Sequence, residues 1–172
     1  MLRIYVIATG GTIEKVYSEQ TGNVQNLDSK IDRYFRMLRL PDAEIAVTHL
    51  MNKDSLEMTD ADRERVLAKV REKLQEAAAP VVITHGTDTM VRTAEVLAHG
   101  IADKTIVLTG AMIPYKFGSS DGLFNLGSAL AFAQTLPPGV YVAMNGRHFA
   151  WNRVRKNHKT GVFEEVGELT GA

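Results

Sequence analysis

The feature that most constrains the fold is a series of short apolar runs, each about as long as a β-strand and rich in valine or isoleucine. Continuous runs of this kind are typical of strands that are buried on both faces of a sheet. They occupy residues 2–8, 44–50, 80–84, 105–109 and 140–144.

Helical patterns lie between these runs. Thr59 and Asp62 have the spacing of a capping box, which predicts the start of a helix. Residues 90–99 and 123–133 are further predicted helices. Strands that alternate with helices predict an α/β fold, with a parallel sheet and helices on both of its faces. The stripe of the first helix repeats at spacings of three and four residues and comprises Val66, Leu67, Val70, Leu74 and Ala77.

Length and composition favour one globular domain. The chain has 172 residues, of which 45% are hydrophobic, and it shows no internal repeat or long linker, so we expect a single domain over residues 1–172. Its 20 basic residues balance 20 acidic ones, which gives no electrostatic reason to expect a nucleic-acid or membrane partner. The absence of cysteine from this sequence excludes disulfide bonds, thiol catalysis and cysteine-ligated zinc within it.

The location of the protein is predicted from its apolar runs and its cysteine content. The first run is too short for the apolar region of a signal peptide, and no run approaches the roughly 18 apolar residues of a membrane helix. Lack of cysteine fits a reducing compartment, so we expect a cytoplasmic protein.

The last part of the chain, residues 145–172, is polar and irregular. It contains Asn-Gly and Thr-Gly pairs, which predict hairpin turns. These pairs are Asn145-Gly146, Thr160-Gly161 and Thr170-Gly171.

Three polar, glycine-bearing segments directly follow three of the predicted strands, at residues 9–12, 85–89 and 109–112. In a parallel sheet they converge on the carboxyl edge, where open α/β folds bind their ligands. Glycine lets a ligand approach the backbone and frees N–H groups that can bind an oxyanion. Each segment alone could be only a tight turn. Together they bring Thr12, Thr87 and Asp88 to one edge, which favours a catalytic site with a hydroxyl nucleophile.

Two of these segments closely resemble the signatures of the bacterial-type asparaginase/glutaminase family. They read Ala-Thr-Gly-Gly-Thr-Ile at 8–13 and Val-Ile-Thr-His-Gly-Thr-Asp-Thr-Met at 82–90. Further similar segments follow in the family's order: Asp-Ser-Leu-Glu-Met-Thr at 54–59, Leu-Thr-Gly-Ala-Met-Ile-Pro at 108–114 and Ser-Asp-Gly-Leu-Phe-Asn-Leu at 120–126. The resemblance runs from the first residues to about Asn157 and implies the asparaginase N-terminal-domain fold.

The resemblance implies roles for four catalytic residues. Thr12 matches the hydroxyl usually regarded as the nucleophile that attacks the side-chain amide carbon. Thr87 matches a second threonine, regarded in other accounts as the nucleophile or the activator of water. Asp88 matches an aspartate that binds the substrate's α-amino group and belongs to a threonine–lysine–aspartate cluster. Lys156 matches the lysine of that cluster.

The resemblance also implies residues that surround the substrate. Ser55 matches a residue that holds the α-carboxylate, and the carbonyl of Ala111 matches one that contacts the leaving amide. Tyr17 is predicted to be the lid tyrosine, hydrogen-bonded to the nucleophile; an exposed loop aromatic is the alternative. Neighbouring positions in the matched segments are also expected to bind substrate, namely Gly11, Asp54 and Gly86.

The role of Lys156 stays open at the level of sequence. A threonine hydroxyl is a poor nucleophile at neutral pH and needs a base or a strong local field. Lysine serves as a base only where its ammonium form is destabilised, whereas a paired carboxylate such as Asp88 favours that form. Either role requires Lys156 to lie near Thr87.

Other site types are disfavoured. The five histidines, His49, His85, His99, His148 and His158, lack the spacing of metal ligands, so we predict no metal and no cofactor. The basic residues of 147–159 are interpreted as solvated or substrate-facing rather than as an RNA site. Gly10-Gly11 lacks the third glycine of a dinucleotide fingerprint.

Typical members of the family have a second, C-terminal domain, and a carboxylate from the neighbouring subunit's second domain completes their site. This chain stops after Ala172, so we expect a short single-domain form, with a truncated piece as the alternative. We expect a homo-oligomer that hydrolyses L-asparagine to L-aspartate and ammonia. The alternatives are an amidase for glutamine or a larger amide, and a non-catalytic amino-acid-binding module.

Overall fold

The computed structural model describes residues 1–167, and the hairpin turn predicted at Thr170-Gly171 lies outside them. The strands are β1 (Leu2–Gly10), β2 (Val16–Tyr17), β3 (Val24–Gln25), β4 (Ala43–Lys53), β5 (Val81–Thr84), β6 (Thr105–Thr109), β7 (Gly139–Met144), β8 (Arg147–Ala150), β9 (Val154–Asn157) and β10 (Val162–Glu165). The helices are α1 (Ile31–Met37), α2 (Asp60–Glu76), α3 (Met90–Gly100) and α4 (Gly122–Thr135).

Six of the strands form the central sheet, in the order β4-β1-β5-β6-β7-β8. The first five are parallel, and β8 returns antiparallel to β7 at the edge. Two short antiparallel pairs, β2–β3 and β9–β10, lie outside it. The predicted α/β fold with a parallel sheet is confirmed, and β8 is the antiparallel exception.

Helices cover both faces of the sheet, as predicted, because side chains alternate along each strand. On β1, Tyr5 and Ile7 belong to a core that α2 and α3 cover, which includes Val70 and Leu97. Ile4, Val6 and Ala8 point the other way, into a core that includes residues of α1 and α4. The site-bearing strands are therefore held between two apolar layers.

Strand β4 differs from the sequence prediction. The run at 44–50 was expected to be buried on both faces, and this is wrong, since most of β4 is only half-buried. The reason is its place at the edge of the sheet, where it pairs with β1 alone.

The predicted capping box starts α2. Thr59 accepts a hydrogen bond from the backbone N–H of Asp62 (3.2 Å), and the Asp62 carboxylate accepts one from the backbone N–H of Thr59 (2.9 Å). Lys53 at the end of β4 lies 2.8 Å from the same carboxylate. Cap and ion pair together fix the connection that carries residues 54–59.

Two predicted hairpin turns are confirmed. Asn145 and Gly146, with φ of 55° and 78°, form the two-residue turn between β7 and β8, where positive φ matches the twist of the paired strands. Gly161, with φ of 70°, lies in the turn between β9 and β10. The second hairpin matters for the site because β9 carries Lys156. Within residues 1–167, no helix combines the length and the apolar character needed to cross a membrane.

Candidate active site

The three glycine-bearing loops lie side by side at the carboxyl edge of the sheet, because β1, β5 and β6 are neighbours. The backbone N–H of His85, directly after β5, donates to the carbonyl of Thr109 at the end of β6 (2.9 Å). The backbone N–H of Gly11, directly after β1, donates to the carbonyl of Lys53 (2.8 Å). Backbone hydrogen bonds thus join the loop after β5 to the end of β6, and the loop after β1 to the end of β4.

Gly11 and Gly86 let two of these loops touch. Gly11 has a φ of 83°, and a side-chain carbon built there would lie 2.4 Å from the backbone nitrogen of Gly86. A side-chain carbon at Gly86 would lie 2.6 Å from the Ser55 hydroxyl oxygen. These distances leave room for glycine alone. Their contact brings the turn that carries Thr12 beside the one that carries Thr87.

Thr87, Asp88 and Lys156 form one hydrogen-bonded cluster. The Nζ of Lys156 donates to Thr87 Oγ1 (2.8 Å) and to Asp88 Oδ1 (2.7 Å). Thr87 is buried, and the side chain of Lys156 is 10% exposed against 30% for that of Asp88. The cluster therefore has a buried cation and hydroxyl, with a carboxylate that solvent can reach.

Thr12 lies on a short 3₁₀ turn, Thr12–Glu14, that directly follows the Gly10-Gly11 pair. It is half-buried, whereas Ile13 beside it points into the core. The backbone N–H groups of Thr12 and Thr87 donate to no acceptor among residues 1–167. Free N–H groups beside a hydroxyl are the donors that can hold an oxyanion.

Ser55 is buried and bound to the loop after β5. Its hydroxyl oxygen accepts a hydrogen bond from the backbone N–H of Thr89 (3.3 Å), and its carbonyl accepts one from the Thr89 hydroxyl (2.8 Å). The two signature segments and the 54–59 segment are therefore connected directly.

Asp54, predicted to bind substrate, is paired with Lys15 at 2.5 Å. Partial burial works to raise the pKa of the Asp54 carboxyl, but hydrogen bonds from Lys15 and from the backbone N–H of Leu56 outweigh it and hold that pKa below its ordinary value. Asp54 is therefore ionised at neutral pH and already has a cationic partner.

A polar cavity of about 290 Å³ lies beside this pair, lined in part by Asn26, Asn52 and Glu57. The Asn26 amide donates to the carbonyl of Gly11 (2.9 Å) and to the side-chain oxygen of Asn52 (3.0 Å). The cavity thus adjoins the turn that carries Thr12.

Tyr17 lies on β2 and is 58% exposed. Its hydroxyl forms no hydrogen bond with Thr12 or with any other residue of the described part of the chain. The hydrogen bond that the resemblance implies is therefore not formed in this structure.

Ala111 follows β6 and is fully buried. Its carbonyl accepts no hydrogen bond from residues 1–167. The loop around it is fixed by its neighbours, since Asn125 donates to the carbonyl of Gly110 (2.9 Å) and Asp121 accepts from the N–H groups of Met112 (3.1 Å) and Ile113 (3.0 Å).

His85 is fully buried and neutral. Burial lowers its pKa to about 4. In the neutral ring Nδ1 donates to the carbonyl of Gly86 (2.7 Å), so Nε2 accepts from the hydroxyl of Thr93 (2.7 Å). The ring therefore orients the Gly86 peptide. Within residues 1–167, no three histidine, aspartate or glutamate side chains are grouped to hold a metal ion.

Sequence reasoning missed several polar residues around the site. Besides Lys15 and Asn26, they include His158, whose Nδ1 lies 3.6 Å from Asp88 Oδ1. They also include Glu14, which accepts a hydrogen bond from Ser29 and whose carboxyl pKa is raised by burial. No local pattern marks them, because each makes its contact with a distant segment.

Comparison with known proteins gives a family and several relatives. The family described as "Asparaginase, N-terminal" matches residues 3–165. The L-asparaginase of Thermococcus kodakarensis is 33% identical over 163 residues, covering 94% of this chain and 49% of its own length. L-asparaginase 1 of Escherichia coli strain K12 is 35% identical over 167 residues, covering 92% of this chain and 48% of its own length. Glutaminase-asparaginase of Acinetobacter glutaminasificans is 33% identical over 164 residues, covering 89% of this chain and 49% of its own length.

Solved structures agree with these matches. The thermostable L-asparaginase from Thermococcus kodakarensis superposes with a TM-score of 0.84 at 34% identity, over 95% of this chain and 51% of that one. The probable cytoplasmic L-asparaginase from Campylobacter jejuni superposes with a TM-score of 0.83 at 34% identity, over 96% of this chain and 52% of that one. The chain therefore spans about half the length of the relatives it matches.

Proposed function

We propose that this chain, which belongs to the asparaginase family, hydrolyses the side-chain amide of L-asparagine to L-aspartate and ammonia. The observation that carries the proposal is the cluster in which Lys156 donates to both Thr87 (2.8 Å) and Asp88 (2.7 Å). Thr87 and Asp88 of this cluster lie on the loop after β5, whose backbone contacts the turn that carries Thr12. Both loops are at the carboxyl edge of the sheet, where ligands bind in this fold class.

In the proposed reaction a threonine oxygen forms a bond to the amide carbon, and the resulting oxyanion is held by backbone N–H groups such as those of Thr12 and Thr87. The carbon–nitrogen bond then breaks, and ammonia leaves with the proton that the hydroxyl has lost. Water hydrolyses the acyl-threonine ester and releases aspartate. The same groups could instead direct water onto the amide carbon without an ester, so Thr12 and Thr87 both remain candidates for the nucleophile.

Lys156 is proposed to act as an ammonium ion. Its Nζ lies 2.7 Å from the Asp88 carboxylate, and an ammonium nitrogen donates hydrogen bonds but has no lone pair with which to take a proton. Donating to Thr87 Oγ1, it stabilises negative charge on that oxygen. Asp88 then has a double function, because it accepts the hydrogen bond that positions Lys156 and offers its exposed side to the substrate's α-amino group.

The residues around this cluster are proposed to bind the rest of the substrate. Ser55 is assigned to the α-carboxylate, with Gly11, Gly86 and Asp54 at the border of the pocket. Ala111 is assigned to the leaving amide, which requires the loop after β6 to open, since that residue is buried. Tyr17 is assigned to the lid, which requires its exposed ring to close over Thr12.

The test is ammonia release from L-asparagine by the purified protein and by the variants Thr12→Ala and Thr87→Ala. We expect each variant to lose at least about a hundredfold in kcat, the usual cost of removing a nucleophile or an essential polar partner. Thr135→Ala is the matched control, because Thr135 ends α4 and bonds only within that helix. Circular dichroism checks that all three remain folded. Full activity in both site variants would refute the proposal.

Glutamine is the second candidate substrate, favoured by the 33% identity to a glutaminase-asparaginase and by the cavity of about 290 Å³ beside the site. The ratio of kcat/KM for asparagine and glutamine distinguishes the two. Thermal stabilisation by asparagine without ammonia release would instead indicate a binding module that lacks turnover.

We also propose that the protein is cytoplasmic. A structural relative is described as probably cytoplasmic, and the described residues contain no membrane-spanning helix. Cell fractionation with an antibody against the chain tests this, and recovery in the membrane or secreted fraction would contradict it.

A further inference from the structure

His158 lies at the mouth of the proposed site. It follows β9 and is 67% exposed, with Nδ1 3.6 Å from Asp88 Oδ1. The same carboxylate oxygen accepts the hydrogen bond from Lys156, whose side chain is 10% exposed. Asp88 is therefore contacted by the mostly buried ammonium group of Lys156 and by an exposed imidazole that becomes a cation when it takes up a proton.

The second carboxylate oxygen of Asp88 makes no hydrogen bond with residues 1–167, so it is free for a ligand. A substrate ammonium group has to reach it from solvent, because Lys156 fills the buried side. The exposed imidazole of His158 lies beside the same carboxylate, with Nδ1 3.6 Å from Oδ1. The imidazole and the substrate's ammonium group thus compete for the same carboxylate.

Ion pairs lie around Asp88, and the carboxylate of Glu57 lines the cavity beside Asp54. Lys156 is paired with Asp88, and the neighbouring Asp54, which is affected by the charge of Lys156, is paired with Lys15. On the adjacent strand β10, Glu164 is bonded to Arg155 and Asn157. A proton on His158 adds one positive charge beside Asp88, which opposes a cationic group of a ligand at that carboxylate.

We propose that His158 determines the recognition of the substrate's amino group, and that its protonated form weakens the binding of that group at Asp88. The inference rests on the proposed amide hydrolysis and adds a residue that acts on binding rather than on bond cleavage. It predicts that acid conditions raise KM more than they lower kcat.

The experiment measures kcat and KM for L-asparagine at about pH 8 and about pH 5.5, on either side of the range in which an ordinary histidine titrates. We expect the wild-type KM to rise about threefold to fivefold at the lower pH, the size of a partly screened ion pair. In His158→Gln this rise should disappear, while kcat stays near the wild-type value at both pH values.

Two controls separate this effect from general acid sensitivity. His99→Gln removes another exposed histidine, on α3, and should keep the wild-type rise in KM. Succinamate carries the same amide and carboxylate as asparagine but no amino group, so its KM should not rise at acid pH. An equal rise in wild type and His158→Gln, a fall of the wild-type KM at acid pH, or the same rise with succinamate would each overturn the inference.

Failure of the proposed function gives a different result, namely no ammonia from either substrate at any pH. In that case calorimetric binding of L-aspartate, which carries the same amino group, still tests His158. Weaker binding at about pH 5.5 than at about pH 8 in wild type but not in His158→Gln supports the inference. Equal pH dependence in both proteins rejects it.

Discussion

At the scale of single residues, the fully buried His85 makes stability depend on pH. Its ring is held neutral in the folded protein, with a pKa lowered to about 4 by burial. An unfolded histidine has a pKa near 6.5 and binds a proton more readily, so acid favours the unfolded state. The stability contribution is complete above about pH 6.5 and is lost as the pH falls towards 4.

We predict that the free energy of unfolding falls by on the order of 3 kcal/mol between about pH 7 and about pH 4 through His85, from a shift of about 2.5 units at about 1.36 kcal/mol each. Urea unfolding at several pH values measures it. His85→Gln should have a shallower dependence even if it is less stable throughout, whereas the exposed His99→Gln should keep the wild-type slope. Parallel curves for wild type and His85→Gln would contradict the prediction.

Lys156 gives a second prediction at this scale. Lys156→Met keeps the apolar stem and removes the charge that Thr87 and Asp88 share, so kcat should fall about a hundredfold or more. Lys159→Met is the control, because the Lys159 side chain is exposed and forms no ion pair within residues 1–167. Ammonia release by both variants is the measurement. A Lys156→Met protein with activity within about twofold of wild type would exclude the electrostatic role.

How far single residues can be predicted from sequence depends on whether a local signature contains them. Thr12, Thr87 and Asp88 lie in signatures, and the structure brings Asp88 and Thr87 to Lys156. His158 and Lys15 lie in no signature, and their contacts arise only when the turn after β1 and the strand β9 fold against distant loops. Tyr17 shows the opposite case, since the resemblance supplied a hydrogen bond that this structure does not form.

At the scale of elements, Asn125 joins three of them. It lies on α4 and is fully buried, and its amide donates to the carbonyl of Gly110 after β6 (2.9 Å) and to the carboxylate of Asp121 (2.9 Å). Its oxygen accepts from the backbone N–H of Asn145 in the β7–β8 turn (3.1 Å). The side-chain amide of Asn125 thus donates two hydrogen bonds and accepts one. These bonds give the 120–126 segment a structural role, since they hold α4 to the loop after β6 and to the β7–β8 turn.

We predict that Asn125→Ala lowers the free energy of unfolding by about 2–4 kcal/mol, because it leaves two backbone groups without their side-chain partner and removes one hydrogen bond to the Asp121 carboxylate. Asn152→Ala is the matched control, since the Asn152 side chain forms no hydrogen bond within residues 1–167. It should change stability by less than about 0.5 kcal/mol. Urea unfolding measures the free energy of unfolding of both variants. Equal free energies would show that the three contacts of Asn125 do not stabilise the fold.

Elements were predictable where the pattern was long and continuous. Valine-rich runs gave the five parallel strands, and the stripe that includes Val66 and Val70 gave α2 with its cap. The edge position of β4 was not predictable, because a strand's own sequence does not state how many neighbours it has. The helix α1 was missed, since its apolar stripe over seven residues consists of Ile31, Tyr34 and Phe35 alone.

At the scale of the whole molecule, one sheet separates two apolar cores and carries the proposed site at one edge. Exposed apolar side chains lie around that edge, including Tyr17 (58% exposed) on β2, Val24 (40%) on β3 and Leu56 (72%) beside Ser55. Tyr17 pairs with Val24, and Val24 lines the same cavity as Asp54 and Glu57, which flank the segment that contains Leu56. Exposed apolar side chains at the edge that carries the site make this edge a candidate interface.

We therefore predict a homo-oligomer in which another copy of the chain covers this edge of the sheet. Light scattering coupled to size-exclusion chromatography should give at least twice the chain mass of 18.9 kDa.

Leu56→Glu should weaken assembly, because it places a charge in the proposed interface. Leu2→Glu introduces the same charge at the opposite end of the sheet, on a side chain that is 39% exposed, and should leave the assembly intact. A wild-type protein that is monomeric at all concentrations would refute the prediction, and equal dissociation by the two variants would place the interface elsewhere. Loss of ammonia release together with dissociation in Leu56→Glu would further indicate that the neighbouring copy contributes to the proposed site.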